Sequence, residues 1–399
     1  MASIAIARAS TSSRARATTT RSKSPSSTPP PSPARRTRAR ASIIDDARAV
    51  ASIGSATPKR RRRAPTRGDV AAAHRATAAE ASAATPSSNE TSATSSIVTL
   101  LVAGVASVGC IAATHAARGP HARAIGSMAL GLLLALVGYK KKSLDESGAL
   151  AAIGVGFGSI YADVRFGAAL AAFFFASSAV TRVRSDVKKR VDEHFKVGGG
   201  RDWVQVFANG FVPTVIALAF ASGGFGAEAT SALASAYLGY YACCGGDTFA
   251  SELGVLSKSK PRLIIDWRRE VAAGTNGGVT ALGWVASASG GAVVGAAFHL
   301  GQSALRAVAT DGGALVAPSN AASVIAFGAV AGVFGSLVDS VLGATIQYSG
   351  FCEERQKVVS KPGPTVTRIS GSEFLSNSAV NLVSGVITAV VAAWLSPLL

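Results

Sequence analysis

From Ile97 onward the chain alternates long apolar runs with short polar ones. The runs cover about 97–117, 123–139, 148–161, 166–181, 206–222, 231–246, 279–300, 322–345 and 378–397. A hydrocarbon core needs about 20 residues of helix, with a usual range of about 17–25. The pattern therefore predicts an all-α fold over residues 96–399, a polytopic transmembrane helix bundle of about 8–9 apolar segments. The run at 148–161 is short for a span; with 166–181 it adds either two passes or a re-entrant hairpin, and the sidedness of everything downstream is the same in both cases. Gly and Ala recur along these runs, and small residues let membrane helices approach closely.

The polar segments alternate in charge. Loops after the second, fourth, sixth and eighth runs carry 19 Lys and Arg, whereas the intervening ones hold only Arg118, Arg123, Arg165 and Arg306. Basic loops mark the cytoplasm-like side of a membrane, so the more basic segments share one face.

Residues 1–95 have a different texture. They are rich in Ser, Thr, Ala, Arg and Pro, with 17 basic and 5 acidic residues and no sustained apolar periodicity. Such a segment cannot bury enough apolar surface to fold alone, and its few acids and many hydroxyl and Arg residues describe a disordered plastid transit peptide and linker. Lys59 to Arg63 (KRRRR) has a second reading as a nuclear or nucleic-acid signal. The net charge of +18 resides mostly in this quarter, so a nucleic-acid partner is not expected for the membrane domain. In a plastid the basic face looks onto the stroma. Composition agrees with a membrane protein: 48% hydrophobic residues, 16% charged and a mean hydropathy of +0.34. Cys110, Cys243, Cys244 and Cys352 form no CxxC or zinc spacing, no His pair stands at i, i+4 as a zinc motif requires, and no GxSxG elbow is present.

The expected chemistry gathers in Gly239–Gly283. Asp247 and Glu252 end an apolar run there, and an ionisable residue at such a margin is a functional candidate. On a helix these two carboxylates point about 140° apart, so Glu252 joins Asp247 as a metal ligand only if the helix breaks at Gly245–Gly246. Asp339, the only charge in its run, lies on the face of Gly335 and Gly343 and would need a cation or hydrogen-bond partner; its readings are a pairing with a loop Lys or Arg, or a second Mg²⁺ ligand, since Mg²⁺ takes one or two carboxylates plus phosphate oxygens. Gly274–Gly278 before an apolar run can cradle an anion on backbone amides or serve as a structural turn. Lys and Arg of the basic loops, including Lys258 and Arg262, obey topology or meet anionic lipid. Arg182 and Arg184, closest to the membrane edge, are the choice for clamping a lipid phosphate. Asn377 and Asn381 share a face of the last run.

Several stretches are familiar. FFFASSAVTRVRSDVKKR (173–190), RDWVQVFANGFVP (201–213), ACCGGDTFASELGVLSKSKPRLII (242–265), GTNGGVTALGWVASASGG (274–291) and GSLVDSVLGATIQYSG (335–350) resemble the transmembrane protein 19 family of integral membrane proteins. Its plant and algal members are similar to plastid phytyl-phosphate kinases of tocopherol (vitamin E) synthesis, and the family is distantly similar to CTP-using lipid kinases and cytidylyltransferases. The resemblance implies Asp247 and Asp339 as catalytic and metal residues, with Glu252 as a further metal candidate. Gly277 and Gly278 resemble the glycine-rich phosphate turn of those enzymes; with Gly246, Asn276, Lys258 and Arg262 they are the candidates for nucleotide phosphate, and Arg182, Arg184 and Asn209 those for the lipid phosphate. The implied partners are phytyl or another prenyl phosphate, Mg²⁺, CTP or another nucleoside triphosphate, and membrane lipids, at a chloroplast membrane. Transfer of a nucleotidyl group to a lipid phosphate and membrane transport are the alternatives.

Overall fold

The computed structural model describes residues 88–116, 119–191, 196, 198–308 and 320–399. The plastid transit segment expected at 1–95, with its KRRRR run, falls almost wholly outside the described residues. Nine long helices are present among the described residues: α1 (Ser88–Ala116), α2 (Pro120–Lys140), α3 (Glu146–Ala162), α4 (Val164–Arg182), then after the short α5 (Ser185–Val191), α6 (Trp203–Ser222), α7 (Ala227–Gly254), α8 (Ala281–Val308), α9 (Ala321–Ile346) and α10 (Asn377–Trp394). Seven of them are long and apolar enough to cross a membrane. The other two are α3, only 17 residues long, and α7, whose 28 residues include Gly245, Gly246 and Asp247. The bundle is a polytopic, essentially all-α fold.

The run at 148–161 forms one continuous helix, α3. Helix α3 starts beside Arg201, where Asp145 caps it by accepting the Gly148 amide at 2.8 Å. It ends beside the start of α2, where Arg123 donates from Nε to the Tyr161 carbonyl at 2.8 Å and from Nη2 to that of Ala162 at 3.2 Å. The helix thus runs from one end of the bundle to the other. Asp163 alone separates it from α4, and its carboxylate holds Arg165 in a buried bidentate pair at 2.8 and 2.9 Å. The guanidinium lies over the rings of Phe166, Phe220 and Phe298.

Helix α7 runs through the middle of the bundle, buried from Ala234 to Gly246. Tyr237, Tyr240 and Tyr241 are fully buried there; Tyr237 donates to the Phe166 carbonyl at 3.0 Å and Tyr240 to that of Ala208 at 2.6 Å, which satisfies two phenols where water is absent. Glycine sets how close the neighbours come. A Cβ on Gly246 would stand 2.6 Å from the Gly332 carbonyl oxygen of α9, and one on Gly291 of α8 would stand 2.1 Å from that of Gly328. Backbone-to-backbone contact of this kind is how helices associate where lipid removes the hydrophobic drive.

The sequence pattern did not foretell the two small sheets outside the helices. One has order β2-β1-β3, from β1 (Arg262–Leu263), β2 (Asp266–Glu270) and β3 (Gly278–Val279); the other has order β5-β4-β6, from β4 (Ser349–Cys352), β5 (Lys357–Val359) and β6 (Val366–Ser370). Both are antiparallel and lie in the basic segments after α7 and α9. Their strands of two to five residues are too short to show a period of two in sequence.

Candidate functional site: a polar cavity at the basic end

A cavity of about 1010 Å³ opens at the end of the bundle that carries the basic loops. Its wall draws on α4, the segment from α5 to α6, the last turns of α7 and α9, the turn before β3 and the start of α10. Asp247 and Asp339 both line it. They arrive on different helices and lie within electrostatic reach of one another. The close crossing of α7 and α9 brings them there: a Cβ on Gly335 would meet Cys243 at 2.4 Å, and each carboxylate sits four residues beyond one member of that contact. Asp339 Oδ2 accepts a hydrogen bond from Ser384 Oγ of α10 at 3.1 Å.

Glu252 also lines the cavity but is occupied otherwise. Helix α7 continues unbroken through Gly245 and Gly246 to Gly254, so Glu252 is turned away from Asp247. Its Oε2 pairs with Lys188 Nζ at 2.8 Å and its Oε1 accepts from Thr181 at 2.7 Å. No group of three or more His, Cys, Asp or Glu suited to a metal exists among the described residues, so Glu252 does not complete a three-carboxylate site. Two carboxylates remain.

The expected phosphate residues separate into those that face the cavity and those that do not. Asn276, Gly277, Gly278 and Asn209 do. The turn is nevertheless built for packing: Gly277 has φ 76, and a Cβ on it would strike Ala344 at 2.5 Å and the Ser340 carbonyl at 2.6 Å. The amide of Asn276 donates to Ser349 Oγ at 3.1 Å and that of Gly278 to the Thr275 carbonyl at 2.9 Å. Two amides of the supposed anion cradle are thereby spent inside the protein. Gly246, Lys258 and Arg262 do not line the cavity. Gly246 is taken up by its contact with Gly332, and Arg262 holds the β1–β2 hairpin through the Trp267 carbonyl at 2.8 Å and Glu270 at 3.4 Å.

The two arginines chosen for the lipid phosphate are also elsewhere. Arg182 reaches the Ser178 carbonyl, the Lys141 carbonyl and Ser143 Oγ, stapling the end of α4 to the α2–α3 loop. Arg184 is exposed, with Asp186 3.8 Å away. Nearness to the membrane edge in sequence is a poor guide here, because tertiary contacts decide where each side chain is used.

Arg201 was counted only as a loop charge, yet it has the better position. Its backbone is held by Ser143 and Asp145, through Arg201 N to Ser143 O and Asp145 N to Arg201 O, both 3.0 Å. A Cβ on Gly148 would lie 2.0 Å from the Arg201 carbonyl oxygen, so that glycine lets the loop seat on α3. The guanidinium lines the cavity, is half-buried and donates from Nη1 to Ser178 Oγ at 3.1 Å. Burial lowers its pKa, the Glu252 carboxylate acts in the opposite sense, and Arg182 adds to the lowering. An arginine stays charged regardless, so this site favours an anion. Four of its five N–H donors have no hydrogen-bond acceptor among the described residues. Lys196 and Lys361 also line the cavity, as does Ser376, which caps α10 by accepting from the Ala379 amide at 3.3 Å. The positive end of a helix dipole and Asn377 and Asn381 therefore face the same space.

These features define a polytopic membrane protein with a polar, bipolar-charged cavity at its basic end. The chain belongs to the integral membrane protein DUF92 family, whose model matches residues 129–389. It is 44% identical over 278 residues to the protein named Protein PGR of Arabidopsis thaliana, covering 67% of this chain and 94% of that one. It is 29% identical over 221 residues to an uncharacterized membrane protein of Methanocaldococcus jannaschii, covering 55% of this chain and 81% of that one. No solved structure matches the chain.

Proposed function

We propose that this protein is a lipid-phosphate kinase, with phytyl phosphate as substrate and phytyl diphosphate, a precursor for tocopherol, as product. The observation that carries the reading is the sharing of one cavity by a carboxylate pair, Asp247 and Asp339, and a half-buried cation, Arg201. Two carboxylates with no cation between them repel, and Mg²⁺ commonly takes one or two carboxylates together with phosphate oxygens. The donor set therefore suits Mg²⁺, which would neutralise charge on a nucleotide's phosphates. Arg201, Lys196 and Lys361 supply the complementary charge for the lipid's phosphate. An oxygen of that phosphate attacks the γ-phosphorus of CTP or another nucleoside triphosphate; the new P–O bond forms as the β–γ bridge breaks, and the nucleoside diphosphate leaves. Phosphoryl transfer of this kind depends on positioning and charge neutralisation, and a phosphate acceptor already carries its nucleophilic oxygen. A chloroplast membrane with the cavity towards the stroma is the proposed location, supported by the composition of residues 1–95 and by the plant relative.

The test is direct. Purified protein in lipid nanodiscs is given phytyl phosphate, Mg²⁺ and either CTP or ATP, and products are identified by mass. Phytyl diphosphate supports the kinase, a nucleotidyl-linked lipid replaces it with the cytidylyltransferase reading, and no product from any polyprenyl phosphate overturns both.

A further inference from the structure

The polar cavity has an apolar annex. Among α2, α3, α4, α6 and α7 lies a crevice of about 80 Å³. Helix α3 is drawn onto α2, where a Cβ on Gly156 would stand 3.3 Å from the Gly131 Cα, and onto α6, where a Cβ on Gly210 would meet Val155 at 2.7 Å. The crevice is the space these contacts leave towards Leu170 and Phe174 of α4. Its lining is apolar except for Arg201, Gln205, Asn209 and the phenol of Tyr241, and the first three stand at its polar end. Those three residues line the 1010 Å³ cavity as well. Gln205 and Asn209, four apart, share one face of α6; with Arg201, two residues ahead of that helix, they are the wall that the two spaces share.

An apolar space inside a protein holds water poorly and gains by taking hydrocarbon. At its polar boundary stands a guanidinium with unused donors, which also lies 6.0 Å from the ring of Phe174 within the crevice lining. Charge on one side and hydrocarbon lining on the other match an amphiphile whose anion and chain are joined directly. We infer that the crevice seats the hydrocarbon nearest the phosphate of a lipid phosphate, with the phosphate on Arg201 and the Asn209 amide. At about 80 Å³ it takes no more than the first branched unit of the chain; the rest passes between helices to the bilayer. This inference rests on the reading that the cavity accepts a lipid phosphate, and it adds where the chain goes and which residues choose it.

The test uses full-length protein in nanodiscs and a farnesyl phosphate carrying a diazirine near the phosphate, photolysed and mapped by peptide mass spectrometry without nucleotide. Expected is labelling of the peptides around Ala152, Val155 and Val206, competed by geranylgeranyl phosphate but not by inorganic phosphate or geranylgeraniol. Ala152→Leu and Ala152→Phe should lower that labelling progressively, by about tenfold for Phe, with thermal unfolding confirming that each variant is folded; if Phe fails to fold, Leu carries the comparison. Labelling confined to outward residues such as Leu132 and Val215, labelling indifferent to both variants, or competition by inorganic phosphate alone would overturn the inference. Because no turnover is read, crevice labelling without phosphorylation sinks only the kinase proposal, and diphosphate formation without crevice labelling sinks only the crevice.

Discussion

The ammonium of Lys188 sits 2.8 Å from Glu252 Oε2, and it also donates to the carbonyls of Val180 at 2.7 Å and Thr181 at 3.2 Å. All three of its N–H donors are therefore used at the end of α4. The lysine is 4% exposed, so its partner carboxylate is structural first.

Glu252→Gln should leave that buried ammonium without its counter-charge and destabilise the protein by about 3 kcal/mol. Burial already lowers the Lys188 pKa, and Glu252 opposes the lowering; removing the carboxylate lowers it further. In the pH range between the lowered and the ordinary lysine pKa the unfolded chain binds the extra proton, so stability rises with pH there. The deficit of Glu252→Gln relative to wild type should accordingly shrink as pH is raised towards the ordinary lysine range. Thermal unfolding in detergent across pH 7–10 measures this; a deficit that grows with pH contradicts it.

Asp247→Asn and Asp339→Asn should each reduce phosphorylation of the lipid phosphate by at least about 100-fold, the scale on which lost electrostatic positioning acts. A second readout is independent of turnover. Mg²⁺ with a non-hydrolysable nucleotide should raise the unfolding temperature of wild type by mass action and leave that of either variant nearly unmoved. Equal shifts in all three proteins would remove the carboxylates from the metal site.

Arg201→Ala should raise KM for the lipid phosphate by roughly 10- to 100-fold, as expected for a charge-assisted contact of about 1.5–3 kcal/mol. Arg184→Ala should change neither KM nor stability, since that side chain is exposed. Arg182→Ala should lower the unfolding temperature through loss of its staple, with its KM effect smaller than that of Arg201→Ala. Steady-state kinetics on the three variants separates the roles.

Gly246→Ala places a methyl where the Gly332 carbonyl oxygen would be 2.6 Å and its Cα 2.7 Å away. Backbone cannot yield as a side chain does, so overpacking should cost about 1–3 kcal/mol and shift Asp247 with it, lowering activity too. Gly154→Ala, with nothing within 4 Å of the added Cβ, should be neutral or slightly stabilising through helix propensity. Paired unfolding curves decide the matter.

Seven of the helices were legible because each spans a membrane-length apolar run, and the ends of α2, α4, α6 and α9 fall within three residues of those runs. The end of α7 was not: polarity after Gly246 resembles a loop, but the helix continues because Glu252 and Thr248 find partners on it and on α4. Asp247 stood out as a charge at an apolar margin and Asp339 as the only charge within its run, and the structure brings them to one cavity. The cations were harder to rank. Arg182 and Arg201 lie in equally basic stretches, and what separates them is the seating of the loop at Arg201 on Ser143, Asp145 and Gly148, a contact between segments more than fifty residues apart that leaves no local pattern. Gly277 shows the converse. Its glycine is demanded by Ser340 and Ala344 across the fold, and sequence alone reads the same residue as room for a phosphate.

The single-residue joint between α3 and α4 bears on how the chain enters its membrane. Helix α3 is marginally short, and with only Asp163 between them neither helix has a tether long enough to insert independently of the other. Their hairpin is expected to insert as a unit, carrying Asp163 and Arg165 to the side where cations are otherwise scarce. Joined at 2.8 Å, the two are buried as an ion pair, so the arginine is not left as a lone cation in an apolar interior. Neutralising Asp163 alone should then disturb the topology of the nascent protein before it disturbs any chemistry at the other end.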